Sequence, residues 1–131
     1  MGTLFGKTIL VAQDDAACAA RTADMLVDAG AVVVGPARTL GAALVLAAEE
    51  AVDAAVVDVH LDDHWSFRLA EALERVGAAC VYTTRRGEAP ACAELRDAPL
   101  LAKPYDRAAL TEALSRAVAA GRPPAPVPAG A

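Results

Sequence analysis

The chain is poor in aromatics: two Phe, two Tyr and one Trp in 131 residues. Its core must therefore be built from small and branched aliphatic side chains, and stacking platforms for bases are scarce. Cysteine is also rare. Cys18, Cys80 and Cys92 are an odd number without metal-type spacing, which fits a reducing cytoplasm and small buried side chains better than disulfides. A basic excess is missing: formal net charge is −5, so nucleic-acid binding by the whole domain is not expected. No apolar run approaches the roughly 20 residues of a membrane span. The first seven residues lack the charged-then-apolar pattern of a secretion signal. The Gly-rich loop of a dinucleotide or P-loop protein is absent too. Gln13-Asp14-Asp15-Ala16 stands where it would be.

What is present is 56% hydrophobic residues, enough for one core and one domain. Residues 8–12 read as a first strand running into Gln13-Asp14-Asp15. Ala16, Ala20, Ala23 and Val27 then recur at helical spacing, with Gly30 as the stop. Residues 31–34 give a second strand closed by Gly35-Pro36. Thr39 caps a second helix facing inward with Leu40, Leu44 and Ala47. Residues 54–57 form a third strand that ends at Asp58, and residues 60–65 read as a polar loop. Ser66 is placed to cap a third helix with Leu69, Ala70, Leu73 and Val76 inward, and Gly77 follows.

A fourth strand over residues 79–83 ends at Thr84. Pro90 and Pro99 bracket a weakly amphipathic piece at residues 91–96, so any helix there is short. Residues 100–102 make a fifth strand before Lys103-Pro104. Asp106 caps a last helix with Leu110, Ala113, Leu114 and Ala117 inward, closed by Gly121. Residues 1–121 are expected to form the domain. Residues 122–131, rich in Pro and Ala, are expected to be a flexible tail.

Strand and helix alternate five times, which predicts an α/β fold with a parallel sheet covered by helices on both faces. The flavodoxin-like order 2-1-3-4-5, a three-layer (βα)5 sandwich, accommodates five strands. In that order strands one and three are neighbours, and ligands bind outside the strands' carboxyl ends. Asp14, Asp58, Thr84 and Lys103 then meet at one crevice. An unpaired carboxylate cannot lie in a dry interior, so Asp58 is expected at the sheet's edge. Two acids need a cation, and hard oxygen ligands suit Mg²⁺ with several waters. A carboxylate can attack phosphorus, while a lysine and a hydroxyl neutralise the phosphoryl oxygens.

In these marks the chain resembles the receiver domain of two-component response regulators. They are Ile9-Leu10-Val11 leading to Asp14, then Val56-Val57-Asp58, Thr84 after the fourth strand, and Lys103-Pro104-Tyr105. Val34-Gly35-Pro36-Ala37 and Leu100-Leu101-Ala102-Lys103 look closest to the stand-alone "FAT GUY" receivers of alphaproteobacteria. The resemblance implies Asp58 as phosphoacceptor and Mg²⁺ held by Asp14, Asp58 and the backbone carbonyl of His60. It implies Thr84 as the phosphoryl-binding hydroxyl and Lys103 as its charged partner, often before a cis proline. The implied partners are a histidine kinase or histidine phosphotransfer protein, and a downstream protein target.

Two residues depart from the family pattern. Gln13 stands where receivers carry the first of two acids, which removes a charge and lowers the expected metal affinity. Arg85 and Arg86 follow Thr84 where that group has Gly and Tyr, and Arg85 either shields a phosphoryl group or pairs with it. Plainer readings compete at each place. Asp15 is a helix cap before it is a metal ligand. The acids and histidines of residues 60–64 are a solvated loop before they are a zinc site. Trp65 and Phe67 cover a core face before they anchor a partner. A degenerate receiver acting as a phosphorylation-independent binding module is the rival function. A small hydrolase is weaker, because His60 stands where an aspartyl phosphatase needs its second acid.

Overall fold

The computed structural model describes residues 2–85 and 99–120. The expected helix at residues 91–96, Arg86, Cys92, Gly121 and the tail lie outside the described residues. Strands β1 (Thr8–Ala12), β2 (Val32–Ala37), β3 (Ala54–Asp58), β6 (Ala79–Thr84) and β7 (Leu100–Ala102) form one parallel sheet in the order β2-β1-β3-β6-β7. Taken along the chain, this is the predicted 2-1-3-4-5. Helices α1 (Ala16–Asp28) and α4 (Arg107–Ala120) cover one face, and α2 (Leu40–Glu49) and α3 (Phe67–Arg75) the other. Among the described residues no helix is long and apolar enough to cross a membrane.

The central strand β3 is buried along its whole length, so apolar residues on both faces follow directly from its place between two helical layers. One core packs Ile9, Val11, Val56 and Val81 against Leu26 of α1 and Leu110 and Leu114 of α4. The other packs Leu10, Ala12, Val57 and Tyr82 against Leu69 and Leu73 of α3 and Ala43 and Ala47 of α2.

Caps fall where the side-chain chemistry places them. Asp15 accepts from the Ala17 N–H at 3.1 Å, Thr39 from Ala42 at 3.1 Å and Asp106 from Ala109 at 2.8 Å. Gly30, at φ 87°, ends α1 with Ala31 N–H donating back to the Leu26 carbonyl at 3.0 Å, the left-handed closure that glycine permits.

Four expectations need correction. The buried stripe of α1 is Cys18, Ala19, Thr22 and Leu26, while Val27 is 59% exposed. An alanine-rich helix offers several equivalent apolar faces, and the one chosen carries a polar Thr22. In α3, Val76 is the C-cap and is exposed. Ser66 occupies the N-cap position of α3 but makes no cap hydrogen bond. Its hydroxyl turns inward and donates to the carbonyls of Asp58 and Val59. Finally, residues 60–65 are not an irregular loop. They form a hairpin, β4 (His60–Leu61) against β5 (His64–Trp65), turned by Asp62 and Asp63 at φ 47° and 64°. Positive φ at both turn residues is what a two-residue hairpin demands, and Asp tolerates it.

Candidate functional site: a crevice at the carboxyl edge of the sheet

Alternation along the strands decides which side chains meet. Ile9 and Val11 face the α1–α4 layer, and Gln13 continues their series. Val56 leads in the same way to Asp58, Val81 to Thr83, and Leu101 to Lys103. Four polar residues thus continue one apolar face at the carboxyl edge of the sheet. Asp14 belongs to the opposite series, after Leu10 and Ala12.

Asp58 is only 3% exposed. Burying a carboxylate is costly unless it is paired and hydrogen-bonded, and here it is both. Oδ1 takes the Lys103 ammonium at 2.8 Å and the Thr83 hydroxyl at 2.5 Å. Oδ2 accepts the Asp14 backbone N–H at 3.1 Å. Asp58, expected at an open edge, instead enters the interior together with its partners. The backbone there is pinned as well: Val59 N–H donates to the Thr83 carbonyl at 2.9 Å, and Ser66 holds the Asp58 carbonyl.

Asp14 opens toward the crevice. Its Oδ2 accepts the Asp62 N–H at 3.0 Å, so the β4–β5 hairpin closes over it. Its Oδ1 lies 3.4 Å from the Arg85 guanidinium, whose side chain is 66% exposed. Arg38 donates to the Asp14 carbonyl at 3.2 Å. The His60 and Trp65 rings meet edge to face at 4.9 Å beside this hairpin.

Gln13 points the other way and is fully buried. Its amide Nε2 donates to the Tyr105 hydroxyl at 2.7 Å and to the Thr83 hydroxyl at 3.4 Å. Tyr105 in turn shares a 2.6 Å hydrogen bond with Thr22 and lies 3.8 Å from the Cys18 sulfur. Burial pushes the Tyr105 phenol up to about 12, with the bonds from Thr22 and Gln13 acting in the opposite sense. The Gln13 carboxamide oxygen, Oε1, is buried with no hydrogen-bond partner among the described residues.

Solved structures of the same architecture are numerous. A response regulator receiver protein from Sinorhizobium medicae WSM419 superposes with a TM-score of 0.74 at 23% identity, over 88% of this chain and 96% of that one. SdrG from Sphingomonas melonis Fr1 gives a TM-score of 0.77 at 29% identity, covering 91% and 99% of the two chains. The response regulator PhyR from Brucella abortus gives 0.74 at 22%, covering 88% of this chain and 49% of that longer one. No protein-family model and no curated protein sequence matches the chain.

This chain has the response regulator receiver fold. On that fold the predicted Asp14, Asp58 and Lys103 converge as expected, each at a strand's carboxyl end. Thr84 closes β6, and its carbonyl accepts the Lys103 N–H at 2.9 Å. The hydroxyl on Asp58, however, belongs to Thr83, which the sequence reading passed over. Asp58 and Thr83 are register partners, so their side chains leave the sheet on the same side. Lys103-Pro104 is cis, as the resemblance implied. His60 begins the hairpin two residues after Asp58. Thr22 is a site-linked residue that no motif flagged, while Tyr105 stood in the Lys103-Pro104-Tyr105 mark and Ser66 was read as a cap, neither with a role at the site.

Among the described residues no three His, Cys, Asp or Glu side chains gather as a metal site. Asp14 and Asp58 are neighbours at the crevice, joined by the Asp14 backbone N–H donating to the Asp58 carboxylate. Mg²⁺ takes one or two carboxylates and completes its shell with water and phosphate oxygens, so this sparse oxygen set fits it. Arg85 already faces Asp14 from the crevice side and would compete with such an ion.

Proposed function

We propose that the chain is a response regulator receiver of a two-component phosphorelay that accepts a phosphoryl group on Asp58. The observation that carries this is the triple pairing of the Asp58 carboxylate: lysine and threonine on Oδ1, a backbone N–H on Oδ2. An anion-binding frame already surrounds the nucleophile. It fits a reaction that needs positioning and charge neutralisation more than covalent help.

The donor would be a phosphohistidine of a histidine kinase or phosphotransfer protein. A carboxylate oxygen of Asp58 attacks phosphorus, the P–N bond breaks, and the imidazole departs as the acyl phosphate forms. Lys103 moves from carboxylate to phosphoryl oxygen over a short distance. The Thr83 hydroxyl, and Thr84 at the strand end, supply neutral donors. Mg²⁺ held by Asp14, Asp58 and the His60 carbonyl would supply the remaining positive charge. The signal then passes to a protein partner. The "FAT GUY" group is the subclass that the Lys103-Pro104-Tyr105 and Gly35-Pro36 segments suit, and a cytoplasmic setting suits the scarce cysteine.

The test is labelling by a small phosphodonor with Mg²⁺, on wild type and Asp58→Asn. Labelling of wild type alone is expected; equal labelling of both defeats the assignment. A second reading, a degenerate receiver acting as a constitutive binding module, draws on Gln13 facing away from the crevice and Arg85 facing into it. It predicts no response to Mg²⁺ with beryllofluoride, and partner binding untouched by Asp58→Asn.

A further inference from the structure

We infer that Gln13 is a positioning residue that couples the state of Asp58 to the Tyr105 phenol between α1 and α4. The inference rests on the phosphoacceptor reading above. Hydrogen-bond polarity carries it. An ionised Asp58 only accepts, so Thr83 must give it the single hydroxyl proton at 2.5 Å. The Thr83 oxygen then faces Gln13 with lone pairs alone, which requires the carboxamide's N–H₂ end on that side. The same N–H₂ group donates to Tyr105, whose oxygen accepts it and whose own proton is left for Thr22 or the Cys18 sulfur. Each donor choice fixes the next, from β3 through β6 and β1 to the Tyr105 hydroxyl.

The second observation is Oε1 of Gln13, buried and without a partner among the described residues. A satisfied carboxamide would use both ends; this one is held with its donor end engaged and its acceptor end idle. Turning the amide over would give Oε1 two hydroxyl partners, Thr83 and Tyr105. It would also take the Thr83 proton away from Asp58. The arrangement thus has two hydrogen-bond polarities, and the negative charge on Oδ1 selects the one described. A phosphoryl group, which draws Lys103 and the hydroxyl proton outward, changes that bias. The change arrives at Tyr105, which Thr22 ties to the buried stripe of α1.

The chain has two tyrosines, so incorporation of fluorotyrosine gives two fluorine NMR signals. Tyr82 packs in the α2–α3 core and serves as the internal control. Beryllofluoride with Mg²⁺ is the probe, and the Asp58 backbone amide reports its arrival. The expected result is a shift of the Tyr105 signal with Tyr82 still. In Gln13→Leu the Asp58 amide still shifts and the Tyr105 response is lost. Thr83→Val gives the same loss without altering β1, and Thr83→Ser restores the response. A moving Asp58 amide with a silent wild-type Tyr105, or a full Tyr105 response in Gln13→Leu or Thr83→Val, overturns the coupling alone. A silent Asp58 amide defeats the phosphoacceptor reading and the coupling with it.

Discussion

Gln13 and Asp14 are consecutive, yet they live in different media. Gln13 lies in a sealed side of the site, among Thr83, Tyr105 and Thr22, with no exposed surface. Asp14 lies on the open side, its carboxylate between a hairpin N–H and an exposed guanidinium. Asp58 touches both, through Oδ1 on the sealed side and Oδ2 on the open one. Similar polar contacts should therefore have different weights: large where water is excluded, small where it competes. The site's rigidity is expected from its sealed half and its responsiveness to ions from its open half.

Lys103→Met should give the largest effect. It leaves the Asp58 carboxylate buried without its cation, and breaking a buried pair in this way costs about 3–5 kcal/mol. Urea denaturation at neutral pH reads it, and Asp58→Asn in the same background should recover much of the loss. A cost below about 1 kcal/mol, the ordinary value for exposed pairs, would erase the distinction between the two sides.

Tyr105→Phe comes next, at about 1–3 kcal/mol, because it strips a partner from the buried Gln13 amide and from Thr22. Tyr82→Phe sharpens the comparison. Tyr82 is buried in the other core beside the Cys80 thiol, a weak partner, and its loss should cost about 1 kcal/mol or less. Equal costs for the two tyrosines would mean that the Tyr105 bonds add nothing beyond packing.

Alkaline titration separates the same contributions by proton linkage. Tyr105 holds its proton up to about 12 in the folded chain against an ordinary value of 10. A group whose folded pKa is raised contributes stability that is full below pH 10 and is lost as pH climbs toward 12. Tyr82 is raised as well, so wild type should weaken through two phenols above pH 10. The stability difference between wild type and Tyr105→Phe should accordingly narrow across that window. Equilibrium unfolding at stepped pH checks it, and a difference that stays constant would contradict the burial of the phenol.

The charged residues were the more legible ones in the sequence. Asp14, Asp58 and Lys103 stand at the carboxyl ends of apolar runs, where a charge has to face a crevice. The uncharged residues of the sealed half were hidden for a physical reason. These strands are apolar on both faces, so alternation along the sequence does not say which face a given residue joins. Thr83 and Thr84 are adjacent hydroxyls, and only the register of β6 on β3 selects Thr83. Thr22 was lost in the same way, since α1 has enough alanines for several candidate stripes and the buried one includes a polar residue. The caps Asp15, Thr39 and Asp106 were readable because their chemistry is local and ignores the rest of the fold.

The smallest expected effect belongs to Arg85. Its guanidinium stands 3.4 Å from Asp14 and is largely exposed, so the pair contributes about 0–1 kcal/mol. That cation occupies the ground on which a divalent ion would approach the same carboxylate. Arg85→Ala should then raise Mg²⁺ affinity by no more than about fivefold, the tenfold-per-1.4 kcal/mol relation applied to that ceiling. Added monovalent salt should shrink the difference, since exposed charges are screened within about 8–10 Å. Trp65 belongs to the hairpin whose Asp62 N–H holds Asp14, so its fluorescence can follow the titration. An affinity unchanged by the substitution at low salt would show that Arg85 and the ion do not share Asp14. A gain of a hundredfold would show that the open half is not open, and the contrast between the two neighbours would have to be redrawn.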